Sequence, residues 1–164
     1  MKRIMLLLAA VALLALSLAP VVQAQGQGGA PQDVDETPFP IPAGSVFGNC
    51  GFDITAQFSG AVKQIELPDG SFIATSPGGM VTLTNDVTGT QETFSITGSF
   101  HVSTDPETGF VETVSTGRSL LGDPEAGFVI ASGNFSFTID PETGELIEPL
   151  SGEGQLINVC EALA

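Results

Sequence analysis

Phe94-Ser95-Ile96-Thr97-Gly98-Ser99-Phe100-His101-Val102 is the stretch that decides the fold class of this chain. Apolar residues or glycine hold the even positions, and Ser, Thr, Ser and His hold the odd ones. Alternate side chains of a strand point to opposite faces, so this pattern predicts one core face and one wet face. Outward from it, Phe52-Asp53-Ile54-Thr55-Ala56-Gln57-Phe58, Val81-Thr82-Leu83-Thr84 and Phe135-Ser136-Phe137-Thr138-Ile139 repeat the alternation. No window sustains a helical period, and β-branched residues and Phe dominate. The chain reads as all-β, with helices no longer than single turns. The predicted inner face is Phe52, Ile54, Phe58, Val81, Leu83, Phe94, Ile96, Phe100, Val102, Phe135, Phe137 and Ile139.

Between these runs stand hairpin signals: Pro68-Asp69-Gly70, Asn85-Asp86-Val87-Thr88-Gly89, and two identical loops, Asp105-Pro106-Glu107-Thr108-Gly109 and Asp140-Pro141-Glu142-Thr143-Gly144. Proline presets the first turn angle, Asp or Asn accepts backbone N–H groups, and Gly takes the left-handed position. The identical loops lie 35 positions apart, and at the same offset Gly98, Phe100, Val102 and Gly117 match Gly133, Phe135, Phe137 and Gly152. This predicts a duplicated hairpin. Tight links favour an antiparallel up-and-down β-barrel of about eight strands, with a two-sheet β-sandwich as the alternative.

The N-terminus reads as an export signal over 1–24. Lys2 and Arg3 precede the apolar run Ile4 to Leu18, and Val22-Gln23-Ala24 places small residues for cleavage before Gln25. The run is short for a membrane span, so a secreted protein with no membrane attachment after cleavage is expected. Residues 25–38, rich in Gln, Gly, Asp and Pro with little to bury, are expected to be a disordered leader. A single all-β domain is predicted over 39–164.

Cys50 and Cys160 bracket that domain. An even cysteine count in an exported chain predicts a disulfide, joining the first strand to the last. Two thiols and one His are too few for a zinc site.

Loss of Lys2 and Arg3 leaves Lys63 and Arg118 against 19 acidic residues, a formal net charge of −17. Such a surface repels phosphate backbones, which excludes nucleic acid as a partner. Cations, basic proteins and neutral ligands remain open as partners.

Phe39-Pro40-Ile41-Pro42-Ala43-Gly44, the Cys that follows, Thr84-Asn85 with Thr88-Gly89, Thr116-Gly117-Arg118-Ser119-Leu120 and Asn158-Val159-Cys160-Glu161-Ala162-Leu163 resemble small secreted β-proteins common in actinobacteria, a group with no assigned function. The resemblance implies an exported bacterial β-domain and lends no catalytic residue.

Candidate chemistry is sparse. His101, the single histidine, falls on the polar parity of its strand, as a surface residue would. No Gly-x-Ser-x-Gly elbow is present. Acids gather in turns, where solvent keeps them ionised, and the absence of Trp and Tyr removes the usual sugar-stacking platforms. Asp105 with Glu107, and Asp140 with Glu142, put oxygen donors on tight loops, yet too few per loop for dedicated calcium binding. No catalytic residue, metal or cofactor is assigned. The expected function is a non-catalytic secreted β-domain that binds a small apolar ligand or a partner protein. The alternative is a small secreted hydrolase or isomerase with its site inside the barrel.

Overall fold

The computed structural model describes residues 29–45, 50–124 and 126–164, so the export signal lies outside the described residues. Alternation becomes strands as expected: β1 (Gln32–Asp33), β2 (Phe39–Ile41), β3 (Ile54–Ser59), β4 (Ala61–Glu66), β5 (Phe72–Thr75), β6 (Met80–Asn85), β7 (Gln91–Ser95), β8 (Ser99–Thr104), β9 (Val111–Asp123), β10 (Gly127–Ile139) and β11 (Leu146–Asn158), then the single turn α1 (Val159–Ala162). The short β1, inside the stretch read as leader, pairs with Ala61 and Val62 of β4.

The strands form two antiparallel sheets, one of seven in the order β1-β4-β5-β8-β9-β10-β11 and one of four in the order β2-β3-β6-β7. Among the described residues no barrel closes, which corrects the favoured architecture toward the sandwich. The reason lies in the alternating stretch 94–102. Residues 94–102 are not one strand: β7 ends at Ser95 in the four-stranded sheet, and β8 starts at Ser99 in the seven-stranded one. The chain switches sheets across Ile96-Thr97-Gly98. A Cβ on Gly98 would strike the Arg118 carbonyl oxygen, so only glycine fits this corner. The β3–β4 and β5–β6 links make the same switch at Gly60 and at residues 76–79. Ser76 holds two corners together, its hydroxyl donating to the carbonyls of Ile96 and Gly98. Corners of this kind are how bent strands turn one sheet into two layers.

Further along, β9, β10 and β11 cross the same line without breaking. Gly117 pairs with Gly133, and Gly133 with Gly154, so three glycines stand side by side across the strands. At φ +154°, Gly133 occupies backbone space that is essentially glycine-only, and a Cβ there would run into the Glu153 carbonyl. The Phe135 ring approaches Gly154 from the neighbouring strand.

The core divides in two. Ile54, Val81, Leu83 and Ala56 of the small sheet pack with Phe128 and Ile130 of β10 and with Val159 and Leu163, joined by Phe52, Phe58, Phe94 and Ile96 at the margin. Leu121, Val129, Ala131 and Phe135 form a second cluster with Phe100, Phe137 and Leu150. The predicted inner-face residues thus distribute over two cores, with Val102 and Ile139 half-buried. The stretch Gly127–Ala131 is buried at every position, because its two faces serve different clusters. Strands covered on both sides read as continuous apolar runs rather than alternating ones.

The duplicated hairpin is present, with a difference. Next to the loops, Thr104 pairs with Val111 and Ile139 with Leu146, the same register in both copies. Two irregularities between Ser136 and Ile139 then offset β11, so that Gly133 faces Gly154 and Gly152 faces Phe135. The offset leaves Leu150 N–H to donate to Asp123 Oδ2 at 2.9 Å, while Ala126 N–H donates to Asp123 Oδ1 at 2.8 Å. One buried carboxylate therefore ties the tip of the β9–β10 hairpin to β11.

Cys50 and Cys160 form the disulfide, with Cα atoms 5.1 Å apart. Neither lies in a strand, which corrects the expected strand-to-strand link: Cys50 precedes β3, and Cys160 sits in α1. The bridge pins α1 onto the first core. Asn85, 2% exposed, adds a second tie by donating from Nδ2 to the Leu163 carbonyl at 3.0 Å.

Candidate functional site

The β4–β5 turn brings the sole histidine beside a serine and an aspartate. Asp69 follows Pro68 in this turn, and its Oδ1 accepts from the Ser71 backbone N–H at 3.0 Å and the Ser71 hydroxyl at 2.6 Å. Ser71 Oγ also lies 3.3 Å from His101 Nε2 on β8. Ser71 is buried, whereas His101 is exposed on the outward face, as its parity predicted. No sequence motif marked this trio; it is created by the lateral pairing of β5 with β8, which sets Ile73 opposite His101.

The order of the trio decides what it can do. A nucleophilic serine hands its proton to a histidine held by the carboxylate. Here serine stands in the middle, and its hydroxyl donates a hydrogen bond to Asp69 rather than to His101. The two Ser71 donors, hydroxyl first and backbone N–H second, hold the Asp69 carboxyl below its ordinary value. A weakly basic carboxylate does not activate an alcohol. The trio latches a turn onto the neighbouring strand. Replacing His101 with Ala is expected to shift stability by less than about 0.5 kcal/mol in urea unfolding, as at an ordinary surface position. A loss several times larger would show that His101 carries more than this latch.

The acidic loops are built alike. Asp105 Oδ1 accepts from Glu107 N–H at 2.7 Å and Thr108 N–H at 3.2 Å; Asp140 Oδ1 accepts from Glu142 N–H at 2.8 Å and Thr143 N–H at 3.4 Å. Asn85 does the same for Val87 and Thr88, making a third copy of the loop with an amide in place of the acid. Gly89, Gly109 and Gly144 close the three loops at φ of 76°, 76° and 72°. The first side-chain oxygen of each loop is engaged by the loop's own backbone, which is a turn-forming role. Among the described residues no three His, Cys, Asp or Glu side chains gather as a metal site.

These bonds lower the Asp105 carboxyl, mainly through Glu107 N–H, and the Asp140 carboxyl, mainly through Glu142 N–H. Folding therefore favours their charged forms. That contribution is complete above the unfolded aspartate value of about 3.9 and is lost as pH falls through the lower folded values. NMR titration of the side-chain carboxyl carbons is expected to place both midpoints below that of an unstructured aspartate. Midpoints at or above it would contradict the loop bonding.

Both sheets present broad outward faces. On the small one, Thr82 pairs with Thr93 and Thr84 with Gln91, and their side chains hydrogen-bond across the strands at 3.0 Å. On the large one, register runs Ile65, Ile73, His101, Val114, Ser136, Ser151 from strand to strand. Among the described residues, open depressions lie at Asn134, Ser136, Ser151, Gly152 and Glu153, and at the glycine corner by Thr75, Thr97, Gly98 and Gly117. No helix of the described residues is long and apolar enough to cross a membrane. No protein family, curated protein or solved structure matches this chain.

Proposed function

We propose that the protein is a non-catalytic secreted bacterial domain that binds a partner protein through the outer surface of its sheets. The observation that carries this reading is the position of His101, outside a Phe-lined core, next to a serine whose hydroxyl donates its hydrogen bond to Asp69. The sequence offered two kinds of ligand, an apolar molecule held within a barrel or a protein outside it. Packing of two sheets face to face, with Phe128 and Ile130 between them, supports the second. The Cys50–Cys160 bridge suits an oxidising, extracellular setting. The hydrolase alternative would have to act through Ser71, which is 5% exposed.

Chemical crosslinking of the mature protein in its host's culture medium, read by mass spectrometry, tests this. A protein crosslinked in stoichiometric yield is expected, together with no labelling of Ser71 by a fluorophosphonate. A Ser71 adduct, or a small molecule retained in place of a protein, would overturn the reading.

A further inference from the structure

The end strand of the large sheet is built unevenly. β11 pairs with β10 on one side and has no strand on the other among the described residues. Proteins usually blunt such edges with bulges, Pro or Lys. The first part of β11 follows that rule, with Pro149 and the two irregularities in its register. From Ser151 to Asn158 the rule lapses. Pairing with β10 runs unbroken from Ser136–Ser151 to Val129–Asn158, and the segment holds neither Pro nor Lys. Leu156 and Ile157 are 45% and 39% exposed there.

Building on the binding-domain reading above, we infer that the edge 151–158 is a strand-addition site for an extended segment of a basic protein. Strand addition draws affinity from main-chain hydrogen bonds and specificity from alternate side chains. Gly152, Gly154 and Leu156 share one face of β11; the Phe135 ring lies against Gly154 there, so the half-exposed Leu156 is the apolar contact that this face offers an incoming strand. Glu153 lies on the other face, Glu148 stands earlier in β11 and accepts from the Thr138 hydroxyl, Glu145 immediately precedes the strand, and no Lys or Arg occurs after Arg118. Charge selects the occupant. A second copy would bring the same carboxylates and a formal charge of −15, or −17 after cleavage, up to an equal charge. A segment alternating apolar residues with Lys or Arg is instead steered in by that field.

The test uses the full mature protein, disulfide intact, and a capped octapeptide of alternating Val and Lys. Hydrogen exchange across 151–158 is expected to slow at least threefold when the peptide saturates. Leu156→Lys should weaken binding at least tenfold without lowering the melting temperature. Should that variant fold poorly, Gln155→Lys at an exposed neighbour serves the same purpose. A version N-methylated at every residue, which leaves no N–H on either edge, should give no protection; equal binding by it would reduce the effect to attraction between opposite charges and overturn the site. Protection elsewhere, or none, would also overturn it. So would a concentration-dependent dimer abolished by Leu156→Lys, which would assign the edge to a second copy. A partner crosslinked away from β11 would sink this site while sparing the binding-domain reading, whereas a Ser71 adduct would sink that reading.

Discussion

Replacing Cys160 with serine is expected to lower unfolding free energy by about 4–5 kcal/mol, the value the chain-entropy account gives for so long a closed loop. The bridge spans 110 positions, so the unfolded chain without it regains nearly the freedom of the whole domain. A domain of this size is stable by only about 5–15 kcal/mol, so the variant would be left close to its unfolding limit. The native side of the balance changes as well. Cys160 sits in α1; Val159 within it and Leu163, which caps its end, are fully buried in the first core, and the Asn85 bond to the Leu163 carbonyl is a second tie. Urea unfolding of the wild type, the single variant and the Cys50→Ala/Cys160→Ala double variant checks this. Both variants should lose a similar amount, because either change removes the whole crosslink. A loss below about 1 kcal/mol would mean that packing of α1, rather than the bridge, holds the ends together.

Truncating Phe128 to Ala is the second large effect, at about 3–5 kcal/mol. Phe128 is 0% exposed and packs with Ile54, Val81 and Leu83 of the opposing sheet. Removing its ring takes away the transfer energy of the side chain and leaves a cavity that two rigid sheets close poorly. Phe100 makes the informative comparison. It is half-buried at the margin of the second cluster, so Phe100→Ala should cost clearly less. Equal losses at the two sites, read from the midpoints of urea curves of equal slope, would argue against two cores of different depth.

That contrast shows how far the pattern of residues could be read. Strict alternation marked Phe100 and Phe135 as inward, and both pack as expected, because side-chain parity is a local property of an extended chain. Phe128-Val129-Ile130-Ala131 does not alternate, and the inner-face reading passed over it. Its signal was present as four consecutive apolar residues, the mark of a strand covered on both sides. On the candidate site, parity placed His101 outside. It could not bring Ser71 and Asp69 beside it, since a sequence does not say which strand lies next to β8. The edge 151–158 was hidden for the same reason: a strand is an edge only by its position in the sheet order.

The sequence by itself determined the all-β class, the turn at each Asp- or Asn-led loop, the two cysteines to be joined and the acidic surface. Each of these follows from chemistry within a few residues, from counting charge, or from a pairing with no competitor. Tertiary structure alone decided between barrel and sandwich. Along residues 94–102 the alternation runs on as though one strand continued, yet at Gly98 the chain leaves one sheet for the other. A glycine there permits the corner without requiring it. Whether the chain turns depends on hydrogen bonds to segments distant in sequence, such as those Ser76 makes across to Ile96 and Gly98, and on the burial of apolar side chains in two separate cores.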